Sequence, residues 1–238
     1  MNLALWLTRT TQRHGDRPAI GHGTRVWCSY DQLARRAAQL SAWLRAQSVA
    51  PGDRVGLFLT NRPDYLVMLW GIWWSGAAAV PINAKLHVRE AAWILQHSGA
   101  RLAFCDADTQ TELTTALPGV ALHAELPAEA DGVCATQAQL APPVDRSDSD
   151  PAWLFYTSGT TGRPKGVMIT HRNLLSRDGV VKERSGAQFQ QGVEEANDAP
   201  AGRASNRSIH EGDAGCLDGR RDDGVEPDRP AAADAWLL

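Results

Sequence analysis

From Tyr156 the chain reads Tyr-Thr-Ser-Gly-Thr-Thr-Gly-Arg-Pro-Lys-Gly, ending at Gly166. Four hydroxyls (Thr157, Ser158, Thr160 and Thr161) can donate to anionic oxygens, and Lys165 adds a positive charge beside them. Gly159, Gly162 and Gly166 leave room for backbone amides to approach a ligand and for positive φ. Amides, hydroxyls and an ammonium on one tight loop make a seat for phosphates. The spacing departs from the Walker loop, which needs G-x-x-x-x-G-K-S/T leading into a helix. Here Pro164 stands five residues after Gly159, and Gly166 follows the lysine. A run of Ser, Thr and Gly can also be a plain polar hairpin turn. The closing order Pro-Lys-Gly favours the ligand-holding reading.

The loop needs strands on both sides. Ala152–Tyr156 reads as one and Val167–Thr170 as another, so a strand rather than a helix is expected to leave the loop. Upstream, helical and strand patterns alternate. Ser29-x-x-Gln32 has the form of a capping box ahead of a helix with Leu33, Ala37, Leu40 and Leu44 on one face. Pro51-Gly52-Asp53 is a turn before an apolar strand at Val55–Leu59. Asn61 and Pro63 read as cap and first turn of the next helix, Gly76 as its stop, and Ala77–Ile82 as a buried strand. A third helix is expected over Val88–His97, ended by Gly99, and another strand over Arg101–Cys105. Strands separated by helices predict an α/β fold with a parallel, doubly wound sheet. Between Pro118 and Asp150 the chain reads as connecting loops with one or two weak strands.

The 238 residues carry a net charge of −3, with 43% hydrophobic and 21% charged residues, an ordinary balance for a globular protein. No basic excess points to nucleic acid or an anionic membrane surface. Cys28, Cys105, Cys134 and Cys216 show neither C-x-x-C nor zinc-ligand spacing, which fits a reducing, cytoplasmic setting. The N-terminus lacks a basic region and a cleavage site and reads as an amphipathic helix rather than a signal peptide. Tyr65–Ile82 is uncharged, but Ser75-Gly76 and Pro81 interrupt it, so a buried helix followed by a core strand is expected rather than a membrane span.

Other residues take structural readings. His171 and Asn173 read as polar residues capping a helix start. His14, His22, His87, His97, His123 and His210 form no ligand pattern. Trp70, Trp73 and Trp74 share a helix, where core or subunit packing explains them. Asp145, Asp148 and Asp150 lack the glycine turn and downstream Glu of a calcium loop and read as a solvated linker. From Arg177 to Pro230 there are about 7 large apolar residues against about 20 charged ones, the balance of a disordered tail.

The string YTSGTTGRPKG followed by VMITHRNLL resembles the phosphate-binding motif of the adenylate-forming superfamily, which comprises acyl-CoA synthetases, adenylation domains of peptide synthetases and luciferases. CSYDQLARRAAQLSAWL and GIWWSGAAAVPINAKL agree with that family in content and order, and the resemblance extends from about Leu3 to Leu175. It implies part of the family's large N-terminal domain, a layered α-β sandwich, over residues 1–176, with residues 177–238 as the tail. It also implies a two-step reaction in which ATP and a carboxylic acid give an acyl-adenylate, whose acyl group passes to coenzyme A with Mg²⁺ assisting. Thr157, Ser158, Gly159, Thr160, Thr161, Gly162 and Lys165 fall on the family's phosphate loop, while Tyr156 supports the strand end. No catalytic or metal-binding residue is assigned.

The motifs expected later in the family, for adenine, ribose, metal and the reacting carboxylate, are not found. An incomplete and inactive fragment is therefore expected. The rival readings are a fragment of an amino-acid adenylation domain and a non-catalytic nucleotide-binding module. The abrupt loss of periodicity after Leu175 further suggests a shifted reading frame of a GC-rich gene, which retranslation of the DNA in its other two frames would test.

Overall fold

The computed structural model describes residues 1–126, 141–157, 164–175 and 235–237. These all belong to one unit, Met1–Gly179 together with Ala233–Leu238. The chain opens with helix α1 (Ala4–His14), followed by an antiparallel hairpin of β1 (Pro18–His22) and β2 (Arg25–Ser29). Then come α2 (Tyr30–Ala46), β3 (Arg54–Phe58), α3 (Pro63–Trp74), β4 (Ala78–Pro81), α4 (Val88–Ser98), β5 (Ala100–Cys105), α5 (Ala107–Ala116) and β6 (Ala121–His123). Strands β7 (Pro151–Thr157) and β8 (Lys165–Thr170) follow, and β9 (Ala235–Leu237) closes the order.

Six strands form one sheet in the order β6-β5-β3-β4-β7-β8, parallel except for β8, which runs antiparallel to β7. Alternation along the strands assigns each face its own layer. Val55 and Leu57 of β3 and Leu102 and Phe104 of β5 join the cluster with α1, α2 and α3. The intervening Phe58, Ala103 and Cys105 join α4 and α5 on the other face. Both faces are covered, so the central strands are apolar beyond Arg54 and Arg101 at their starts, as the doubly wound reading requires.

Local chemistry explains the boundaries. The capping box forms as expected, Ser29 accepting from the Gln32 amide and the Gln32 side chain from the Ser29 amide. Gly99 ends α4 at φ 65°, and Gly76 follows α3 at φ 78°. The N-cap of α3 is Arg62 rather than Asn61. Pro63 occupies the first helical position, so the cap falls on the residue just before it. Arg62 offers no side-chain cap and pairs instead with Asp64 at 2.6 Å.

The β1–β2 hairpin and α5 were not anticipated. Only Leu113 of α5 is buried, so its sequence carries little apolar periodicity. Within the C-terminal stretch expected to be disordered, Ala235–Leu237 pairs antiparallel with β1 and gives a second sheet in the order β2-β1-β9. The rest of that stretch lies outside the described residues. Among the described residues, no helix is long and apolar enough to cross a membrane. Tyr65–Ile82 instead folds as α3 and β4, with Val67, Met68, Ile72 and Val80 in the core.

Candidate nucleotide site

The two strands around the Ser/Thr/Gly loop pair in continuous register from Trp153↔Ile169 to Thr157↔Lys165. The last rung therefore sets Thr157 directly opposite Lys165, with Cα atoms about 5 Å apart in such a pair. The element leaving the loop is a strand, as the sequence indicated. Of the seven candidate residues, Thr157 and Lys165 are described, and both are exposed. Ser158, Gly159, Thr160, Thr161 and Gly162 lie outside the described residues. Lys165 makes no ion pair with the described residues, so its charge is not committed to a carboxylate there.

Side chains opposite each other in a ladder share a face. Thr157 and Lys165 thus stand on the same face as Trp153, Phe155, Val167 and Ile169. That face borders an open groove of about 580 Å³, which Met168, Asn173 and Leu174 also line. The groove is largely apolar. Phe155 and Val167 are about half exposed, at 44% and 48%.

Aromatic side chains brace the opposite face of the hairpin mouth. The Tyr156 hydroxyl lies 2.8 Å from Nδ1 of His97, and Trp93 stacks on His97 with ring centroids 4.7 Å apart. Burial raises the Tyr156 pKa, which keeps the phenol protonated. Gly166 faces Tyr156 across the ladder, and a Cβ there would lie 3.1 Å from the tyrosine ring. A side chain at Gly166 would therefore need that ring to shift by a few tenths of an ångström. Sequence reasoning gave Tyr156 a supporting role but missed Trp93 and His97. Their i, i+4 spacing on one helix was the available signal.

The start of β7 is fixed from below. The Trp73 indole N–H donates to the Ala152 carbonyl at 2.8 Å, and Trp73 also meets the Trp153 ring edge-on. Trp74 donates to the Ala141 carbonyl at 2.9 Å. These tryptophans are core residues with satisfied N–H groups, as expected of the helix. The linker carboxylates are engaged too: Asp148 pairs with Arg172, and Asp150 with Arg146, each at 3.0 Å. The bond from Arg172 holds the Asp148 carboxyl below the usual range.

The turn after β8 divides its two polar residues. Asn173 works at the helix start, its Oδ1 accepting from the Thr170 amide while its own amide donates to Thr170 Oγ1. His171 does something else. It is fully buried, and its Nδ1 accepts from the Leu3 amide at 3.1 Å. Burial, reinforced by Arg146 and the N-terminal ammonium, lowers its pKa to about 4. A capping role in solvent does not describe it.

The family model for the AMP-binding enzyme matches residues 7–195. The chain belongs to the AMP-binding enzyme family. Among curated relatives, it is 37% identical over 172 residues to a feruloyl-CoA synthase of Amycolatopsis, covering 72% of this chain and 34% of the relative. It is 38% identical over 181 residues to a crotonobetaine/carnitine–CoA ligase of Escherichia fergusonii, covering 65% and 34%. The chain thus spans about a third of the length of these relatives.

Solved structures agree on the fold. The nonribosomal peptide synthetase FmoA3 aligns over 78% of this chain and 19% of its own at 30% identity and a TM-score of 0.63. A Mycobacterium tuberculosis fatty acyl CoA synthetase aligns over 71% and 34% at 25% identity and a TM-score of 0.57. The described layers are part of the N-terminal domain of an adenylate-forming enzyme.

Proposed function

We propose that this chain is the N-terminal portion of an ATP-dependent acyl-CoA synthetase and that residues 157–165 bind the triphosphate. Its domain part spans residues 1–176; of the tail from residue 177, Ala235–Leu237 return to pair with β1. The observation that carries the reading is the Thr157–Lys165 rung. It closes a loop of Ser, Thr and Gly at the end of a braced hairpin, with an exposed hydroxyl and an exposed ammonium side by side. Loop amides from Ser158 to Gly162, the hydroxyls of Thr157, Ser158, Thr160 and Thr161, and Lys165 would grip the outer phosphates. That grip orients the nucleotide and offsets charge as pyrophosphate leaves.

ATP, when bound, would supply the adenylyl group: a carboxylate oxygen would bond to the α-phosphorus, giving the acyl-adenylate as the bond to pyrophosphate breaks. Mg²⁺ would share the phosphate charge, and the coenzyme A thiol would take the acyl group with release of AMP. The relatives named as CoA synthases and ligases support an acid–thiol ligase over an amino-acid adenylation domain.

The chain by itself is proposed to be inactive, because it carries about a third of the length in which such relatives assemble their site. Titration with ATP·Mg²⁺ alongside a pyrophosphate-release assay tests both statements. Nucleotide binding without acid-dependent pyrophosphate release is expected. Steady release would refute the inactivity, and unchanged ATP affinity in Lys165→Ala would remove the loop assignment.

A further inference from the structure

The first donors of α1 have an unusual set of acceptors. The Ala4 amide donates to Asn2 Oδ1 at 2.9 Å, an ordinary local cap. The Leu3 amide instead donates to His171 Nδ1, 168 residues away, and both partners are buried. Asn2 is fully buried as well. Its amide nitrogen donates to the Trp73 carbonyl at 2.7 Å and the Val144 carbonyl at 2.8 Å. Residues 2 and 3 thus tie together the end of α3, the linker before β7 and the turn after β8.

His171 sits next to Thr170, the last residue of β8, and β8 begins with Lys165. Its own amide donates to the Asp150 carbonyl just before β7, so both strands of the loop hairpin end at this point. A ring nitrogen that accepts carries no proton, so the neutral ring bears its proton on Nε2. Nε2 is buried without a partner among the described residues. Protonating Nδ1 would turn the acceptor into a donor aimed at another donor. The charged groups around the ring are Arg146, the Met1 ammonium and Asp150. The first two oppose protonation and Asp150 favours it.

We propose that His171 is a positioning residue: its neutral imidazole latches the N-terminal segment to the strand leaving the phosphate loop, so that latch and exit strand hold or release together. The inference deepens the loop reading above and rests on it. Nothing in it requires the ring to touch the nucleotide.

Two variants of the full chain separate the latch from mere packing. His171→Leu fills similar space without an acceptor, and His171→Asn keeps an acceptor near the Nδ1 position but does not titrate. Amide hydrogen exchange is followed at Leu3, along β8 and along α2. In His171→Leu, protection at Leu3 and in β8 should fall about tenfold while α2 holds, and His171→Asn should restore both. On acidification toward pH 4, wild type should lose Leu3 and β8 protection together and His171→Asn should not.

ATP·Mg²⁺ affinity should weaken in His171→Leu and recover in His171→Asn. If wild type binds no nucleotide, the loop assignment fails, while the amide pattern still decides the latch. Leu3 protection unchanged in His171→Leu, β8 unmoved when Leu3 is exposed, or an equal fall in α2 would each overturn it.

Discussion

At the scale of single residues, protonation of His171 sets a limit on the acid stability of the fold. Its pKa falls from 6.5 to about 4 on folding, so the unfolded chain binds the extra proton. The stability tied to the neutral ring is fully present above about pH 6.5. It is lost as pH falls toward 4, by about 3 kcal/mol in total. Urea unfolding at pH 7, 5.5 and 4.5 should show a steeper decline for wild type than for His171→Asn. Parallel curves would mean that another group titrates there. At the loop base, Tyr156→Phe removes the contact with His97 while keeping the ring over Gly166. A loss of about 1 kcal/mol is expected for one partly exposed hydrogen bond, with the β7–β8 register intact. Thermal unfolding with amide exchange across the hairpin reads both. Burial also pushes the Cys28 and Cys105 thiols up to about 11, so both should react slowly with thiol reagents at neutral pH until the chain unfolds.

At the scale of elements, the helices were legible wherever their signals were local. Ser29 and Gln32 lie three residues apart and bond each other, and Leu33, Ala37, Leu40 and Leu44 all turn out buried. What α2 packs against was not legible. Gly71 of α3 lies against Leu40, and a Cβ at Gly71 would meet three side-chain atoms of that residue at 2.6–2.8 Å. Alanine in a helix interior normally gains about 1 kcal/mol over glycine. Here overpacking, which costs about 1–3 kcal/mol, opposes and exceeds that gain. Gly71→Ala should therefore lower stability, and denaturant unfolding decides the sign. Helix α5 and the β1–β2 hairpin escaped the sequence for different reasons. The helix buries one leucine, and the hairpin turns through Gly23-Thr24 rather than the Asn-Gly or Asp-Gly pair that marks such turns most clearly.

At the scale of the whole molecule, the described residues leave one edge of the sheet without a further strand. β8 is an edge strand with the run Gly166-Val167-Met168-Ile169, and Met168 is 70% exposed. A central strand reads this way because both of its faces are covered. An uncharged apolar edge favours association with other chains. Sedimentation velocity of the 238-residue chain should show concentration-dependent association, and Met168→Lys should reduce it without changing the fold seen by circular dichroism. A monomeric wild type at high concentration would contradict this.

The sequence by itself determined that strands enter and leave the loop, the alternation that makes the sheet parallel, and the membership that YTSGTTGRPKG announces. Each of these is written in residues close together along the chain, where turn geometry, caps and periodicity act. Tertiary structure alone decided that His171 meets Leu3, that Trp93 and His97 brace Tyr156, and that Trp73 anchors β7. Those partners are 59 to 168 residues apart. A buried imidazole and a surface cap have the same letter in the sequence, and only the packing around the ring settles which nitrogen holds the proton.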